Sequence, residues 1–175
     1  MRKGLLRRNM KKYLKKSFII GLSIMLMAVS TITAYAQNKS LSADGMTRMY
    51  EGEGFVRAEA SPRGQLISSV QLELSEEGYH RLGIYSEVLC HVDMKKIKMS
   101  VTLQKYVDGS WTNVHRKDEE WLAEDYPELS MAIISYDLTG MSAGKYRLKG
   151  GYSVFELNGS LQEFKTVTTS SLTIN

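Results

Sequence analysis

Alternation of apolar and polar residues, kept up from about Gly52 to the C-terminus, constrains this chain more than any other feature. Residues 96–107 show it most clearly. Ile97, Met99, Val101 and Leu103 fall on one parity, and Lys98, Ser100, Thr102 and Gln104 on the other. A period of two sends successive side chains to opposite faces of an extended strand, and no helix can use it. Residues 65–74 repeat the pattern, with Leu66, Val70, Leu72 and Leu74 on one face beside Ser68, and Ile67 on the other. A turn at Ser75-Glu76-Glu77-Gly78 precedes a strand over 79–89, with Leu82, Ile84 and Val88 on one side.

Asp108-Gly109 and Asn158-Gly159 are dipeptides that suit tight hairpins. The first predicts a return strand from Trp111, and the second joins strands over 145–157 and 161–174. Residues 129–137 are strand-like, and the run 166–171 suits an exposed face or an edge. Residues 116–128 are charged, contain Pro127, and read as a loop or one short helical turn. No stretch of ten residues after position 36 has helical period. Short strands between Gly and Asx turns predict an all-β fold, a sandwich or barrel.

The charge is misleading until the N-terminus is set apart. The whole chain of 175 residues carries +4. Residues 1–36 hold eight of its 23 Lys/Arg and no acid, which leaves 15 bases against 19 acids, a net −4. That excludes a basic nucleic-acid binder. The same segment is tripartite: a basic run to Lys16, an uncharged apolar run over 18–32, then Ala34-Tyr35-Ala36. This predicts a secretory signal cleaved after Ala36, so that the membrane is met only in transit. The alternative, an uncleaved anchor, has an apolar run shorter than the roughly 20 residues that span a bilayer. Residues 37–51 read as a flexible leader and 52–175 as one domain. Cys90 is the single cysteine, which excludes an internal disulfide and suits a buried, inert position.

Residues 138–148 read Leu-Thr-Gly-Met-Ser-Ala-Gly-Lys-Tyr-Arg-Leu. Gly-x-Tyr-x-apolar is the pattern of a tyrosine corner, in which the ring packs under a crossing between sheets and its hydroxyl bonds upstream backbone. Tyr146 takes that role, with Leu138 entering the corner. Leu148 stands where antibody domains place a cysteine, and the matching strand, expected near Val70 and Leu72, has none either. The pattern resembles the disulfide-free immunoglobulin-like and fibronectin-type-III-like sandwiches, with about seven antiparallel strands. The wider layout resembles a family of small secreted proteins of Gram-positive, clostridia-like bacteria, itself of unknown function. The shared features are Pro62-Arg63-Gly64, the run from Val101 to Tyr106, Gly109-Ser110-Trp111, and Tyr146-Arg147-Leu148 before Gly150. This resemblance covers about residues 60–175. It implies a fold and an extracellular address, and no catalytic residues.

Catalytic motifs are sparse. Cys90, His91 and Asp93 are close in sequence, but neighbours on a strand face opposite ways and do not share one ion. No Gly-x-Ser-x-Gly elbow and no phosphate loop are present. The acids of 118–128 offer a hydrolase its two carboxylates, if a cleft separates them and raises one pKa. Asp118, Glu120 and Asp125 are calcium candidates from the same segment; no other cofactor is expected. Trp121, Tyr126 and Trp111 are the ligand-binding candidates, since glycan-binding sandwiches stack sugars on exposed aromatics. The expected function is therefore non-catalytic extracellular binding of a glycan or a protein. A secreted hydrolase and a structural accessory protein are the alternatives.

Overall fold

The computed structural model describes residues 46–159 and 161–175. The signal, its cleavage after Ala36 and the first part of the leader lie outside the described residues. Among the described residues no helix is long and apolar enough to cross a membrane.

The fold is all-β, two antiparallel sheets packed face to face. The described residues form ten strands where about seven were expected: β1 (Met46–Gly52), β2 (Phe55–Ser61), β3 (Ile67–Glu76), β4 (Leu82–Cys90), β5 (Met94–Val107), β6 (Ser110–Leu122), β7 (Met131–Leu138), β8 (Gly144–Glu156), β9 (Gln162–Thr168) and β10 (Leu172–Ile174). Sheet A runs β1-β2-β3-β4-β7. Sheet B runs β10-β8-β5-β6, with β9 also on β8. β9 and β10 flank the same strand in succession, as one edge strand broken at Thr169. There the Leu148 amide donates to Thr169 Oγ1 at 3.0 Å and the Thr169 amide donates to the Leu148 carbonyl at 3.0 Å.

With that edge counted once, β3 to β10 make the expected seven-strand pattern. The other strands, β1 and β2, extend sheet A. β1 begins inside the segment expected to be a flexible leader, pairing from Met46↔Ser61 to Gly52↔Phe55. Its alternation is too short and polar to register alone, and β2 supplies the hydrogen bonds that hold it.

The alternating apolar sets meet between the sheets. Val70, Leu72, Leu74, Ile84 and Val88 of sheet A pack with Ile97, Met99, Val101, Leu103, Leu148 and Val154 of sheet B. One parity expectation fails at a bulge. Ile67 and Leu66 are both buried, and the β3–β4 register shifts between Ile67 and Ser69. The extra residue turns Ile67 to the face of Val70, while Leu66 is buried from the bend just before β3. A polar link crosses the middle of the core: Ser86 Oγ lies 2.9 Å from Tyr152 Oη, which also donates to the Gln71 carbonyl at 3.3 Å.

The tyrosine corner forms as expected. Tyr146 is buried, and its hydroxyl donates to the Ser142 carbonyl at 2.6 Å. Lys105 Nζ donates to Ser142 Oγ at 2.6 Å and covers the ring from the outer end. Leu138 packs partly buried at the entrance. The strand beside β7 at this corner is β4, one hairpin later than the strand of Val70 and Leu72.

The charged segment differs most. β6 continues to Leu122, so residues 116–122 are strand and not loop or helix. β5 provides a full partner, from Lys96↔Leu122 to Val107↔Ser110. Asp108 and Gly109, both with positive φ, make the tight turn that starts this pairing.

Candidate functional site

On β6 the alternation divides the charged residues between two faces. His115, Lys117, Glu119 and Trp121 are half-buried toward sheet A, and Arg116, Asp118 and Glu120 are exposed on the outer face. The carboxylates expected to gather in one loop are therefore split by the strand. Those on the outer face are neutralised in place. Arg116 binds both oxygens of Asp118 through Nε at 3.0 and 2.9 Å and through a terminal nitrogen at 2.8 Å. Lys98 holds Glu120 at 2.7 Å, and this hydrogen bond lowers the Glu120 pKa from its ordinary value. That direction is opposite to the one a glycosidic general acid needs. Among the described residues, no three His, Cys, Asp or Glu side chains gather as a metal group. Asp125, the third calcium candidate, lies past the end of β6.

The outer face of sheet B carries a shaped surface that concentrates polar groups. Across β6, β5, β8 and β9 the register aligns Asp118, Ser100, Gly151 and Thr166 in one row. Glu120, Lys98, Ser153 and Phe164 form the next. Ser100 and Gly151 in the centre of the first row, and Ser153 in the second, leave the sheet low there. A depression of about 420 Å³ opens over Lys98, Ser100, Gly151 and Ser153, walled by Asp118, Glu120 and Phe164. A second, of about 300 Å³, continues it over Thr102, Gln104 and Thr166 toward Lys149 and Asn113. Ser100, Arg116, Gly151 and Phe164 line both, so the two form one groove.

Gly151 sets its depth. A Cβ there would stand 2.8 Å from Ser100 Oγ and 3.9 Å from the Phe164 ring. Phe164 is 62% exposed, an apolar ring standing in water at the groove wall.

Beyond the second depression lies a fixed polar and aromatic group. Arg147 Nε donates to Gln104 Oε1 at 2.8 Å, and Gln104 Nε2 donates to Asn113 Oδ1 at 2.8 Å. The Arg147 guanidinium lies 4.2 Å over the Trp111 ring, which tilts against Tyr106 at 5.2 Å. Trp111 thus sits on the outer face of the hairpin and not between the sheets.

The other ligand candidates are scattered. Trp121 packs partly buried against the core and closes one end of it. Tyr126 is 52% exposed on the turn after β6, away from the groove residues in sequence and register. The groove itself was missed, and its signals were faint. A Gly150-Gly151 pair inside a strand pattern marks close approach. Phe164 takes the polar parity of β9, opposite Val167.

The Cys90, His91 and Asp93 candidates do not assemble. Cys90 is buried, while His91 and Asp93 are exposed beyond the strand end. Burial, with the nearby Glu163 charge second, pushes the Cys90 thiol up to about 12. A thiol in that range is neutral at pH 8 and unreactive. The folded protein is therefore expected to resist a maleimide reagent at pH 8 and to take up one equivalent in strong denaturant. Fast labelling of the folded chain would contradict this placement.

In comparison with known proteins, no family model matches the chain and no curated protein matches it.

Proposed function

We propose that this chain is a secreted, non-catalytic binding module whose ligand is a glycan held in the groove on the outer face of sheet B. The observation that carries the reading is Phe164, exposed beside a floor of Ser100, Gly151 and Ser153 and facing fixed hydrogen-bonding side chains. A sugar ring has an apolar C–H face and a polar rim. The first stacks on an aromatic wall and the second bonds to polar groups around it. The ion pairs Arg116–Asp118 and Lys98–Glu120 are exposed and add little stability. They do hold four side chains in place before any ligand arrives, which lowers the ordering cost of binding. The hydrolase alternative has less support, because Asp118 and Glu120 are each engaged by a base.

One feature favours a second reading, protein binding by strand addition. β7 is an open edge of sheet A, and residues 131–136 carry no charge, with Met131 and Ile133 exposed. Edges in that condition accept another strand. β6, the corresponding edge of sheet B, is dense in charge.

The test is retention of purified protein on insoluble cell-wall polysaccharide and on a glycan array. Phe164→Ala is expected to weaken retention by about tenfold, the scale of one lost aromatic contact. Its melting temperature is expected to stay unchanged, since the ring is exposed. Tyr126→Ala is expected to bind as wild type. Trp121→Ala is expected to lower stability first, because its ring covers core. Undiminished retention by Phe164→Ala would refute the groove as the glycan site.

A further inference from the structure

The two ends of the groove differ in charge, and the difference bears on the kind of glycan. In the first depression, bases and acids alternate and neutralise one another. The second is lined by Arg116 and Lys149, by the hydroxyls of Ser100, Thr102 and Thr166, and by the amides of Gln104 and Asn113. No carboxylate lines it. The neighbouring Asp118 lines the first depression and is held by Arg116.

Register fixes the two cations on either side of one residue. Thr102 pairs with Arg116 on β6 and with Lys149 on β8. Strands lie roughly 4.8 Å apart, so the two backbones stand about 10 Å from each other, with Thr102 between and beneath. Thr102 is almost fully buried under them, at 9% exposure. Lys149 has no acidic partner among the described residues. Arg147, next along the same face, spends its guanidinium on Gln104 and Trp111 and likewise has no acid. Arg116 is balanced by Asp118, so the uncompensated Lys149 leaves one net positive charge above a ring of donors, which suits a carboxylate, sulfate or phosphate group.

We infer that the glycan is acidic, and that the depression between Arg116 and Lys149 takes its anionic substituent while Phe164 stacks an adjoining ring. This deepens the glycan reading and rests on it for the sugar, though not for the anion.

The experiment is a set of ¹⁵N NMR titrations of the purified protein. The probes are trigalacturonic acid, its neutral methyl ester, and sodium sulfate. The acid is expected to shift the amides of Thr102, Asn113, Gly150 and Gly151, and to bind about tenfold more tightly than the ester. Lys149→Gln is expected to remove that preference, lowering the affinity for the acid about tenfold, to the level of the ester. Lys149 is exposed, so the variant folds as wild type does. Equal affinity for acid and ester, or an unaltered preference in Lys149→Gln, overturns the inference while leaving a glycan site. Shifts with sulfate but with neither sugar, lost in Lys149→Gln, support the anion site and overturn the glycan reading. Silence with all three probes overturns both.

Discussion

Tyr146→Ala is expected to destabilise the protein by about 3–5 kcal/mol, the cost of removing a buried aromatic ring from a packed core. Tyr146→Phe separates the hydroxyl from the ring. The ring stays, but the Ser142 carbonyl loses its 2.6 Å donor at the crossing from sheet A to sheet B. Ser142 is exposed, so water can replace the lost donor and the net cost is that of one hydrogen bond, about 0.5–1.5 kcal/mol. At about 4 °C per kcal/mol for a domain of this size, the phenylalanine variant should melt roughly 2–6 °C lower. Denaturant unfolding of both variants checks the pair. A phenylalanine variant as stable as wild type would reduce the corner to ring packing alone.

Gly64→Ala is the second large effect, and it acts through a residue far away in sequence. Glu163 on β9 accepts the amides of Leu66 at 2.8 Å and Ile67 at 3.2 Å, and so ties the edge of sheet B to the start of β3. A Cβ at Gly64 would fall on the Glu163 carboxylate. The carboxylate must then leave, and two amides of buried residues lose their acceptor. Each such loss costs about 1–3 kcal/mol, and partial access of water keeps the sum near 2–4 kcal/mol. Glu163→Ala removes the same bonds from the other side. The double variant should therefore be no less stable than the worse single variant, since both act on one interaction. Additive losses in denaturant unfolding would separate the two residues.

Gly64 illustrates what was legible in the sequence and what was not. Pro62-Arg63-Gly64 stands out as a motif, but its purpose depends on a carboxylate that only the folded chain brings to it. The all-β class, the hairpin at Asp108-Gly109 and the role of Tyr146 were legible because each rests on local chemistry: a period, a dipeptide, a short pattern. The bulge at Ile67 was not, because an apolar doublet does not say which neighbour turns. β6 was misread past Val114, since a strand with charges on both parities has no apolar period. The pairing with β5 makes it a strand.

The groove was hidden for a related reason. Its floor is defined by small side chains from three strands, and only register aligns Ser100, Gly151 and Thr166. Trp121, the most conspicuous aromatic in the charged segment, turned out to cover core, whereas Phe164 stands out only once its strand has a face.

The order of pairing has a consequence in time. Strands β1 to β4 are neighbours in sequence and in sheet A, so each can close onto the last as the chain emerges from its N-terminal end. Sheet B cannot grow that way. β5 is its centre, and one side of β5 waits for β8, as in Met99↔Tyr152. Until Gly144–Glu156 arrives, the β5–β6 hairpin has an open side and an uncovered apolar face. Contacts so distant in sequence make closure slow. The charges along β6 then guard one edge of the half-made sheet during that interval, while the β5 edge stays open until β8 pairs with it.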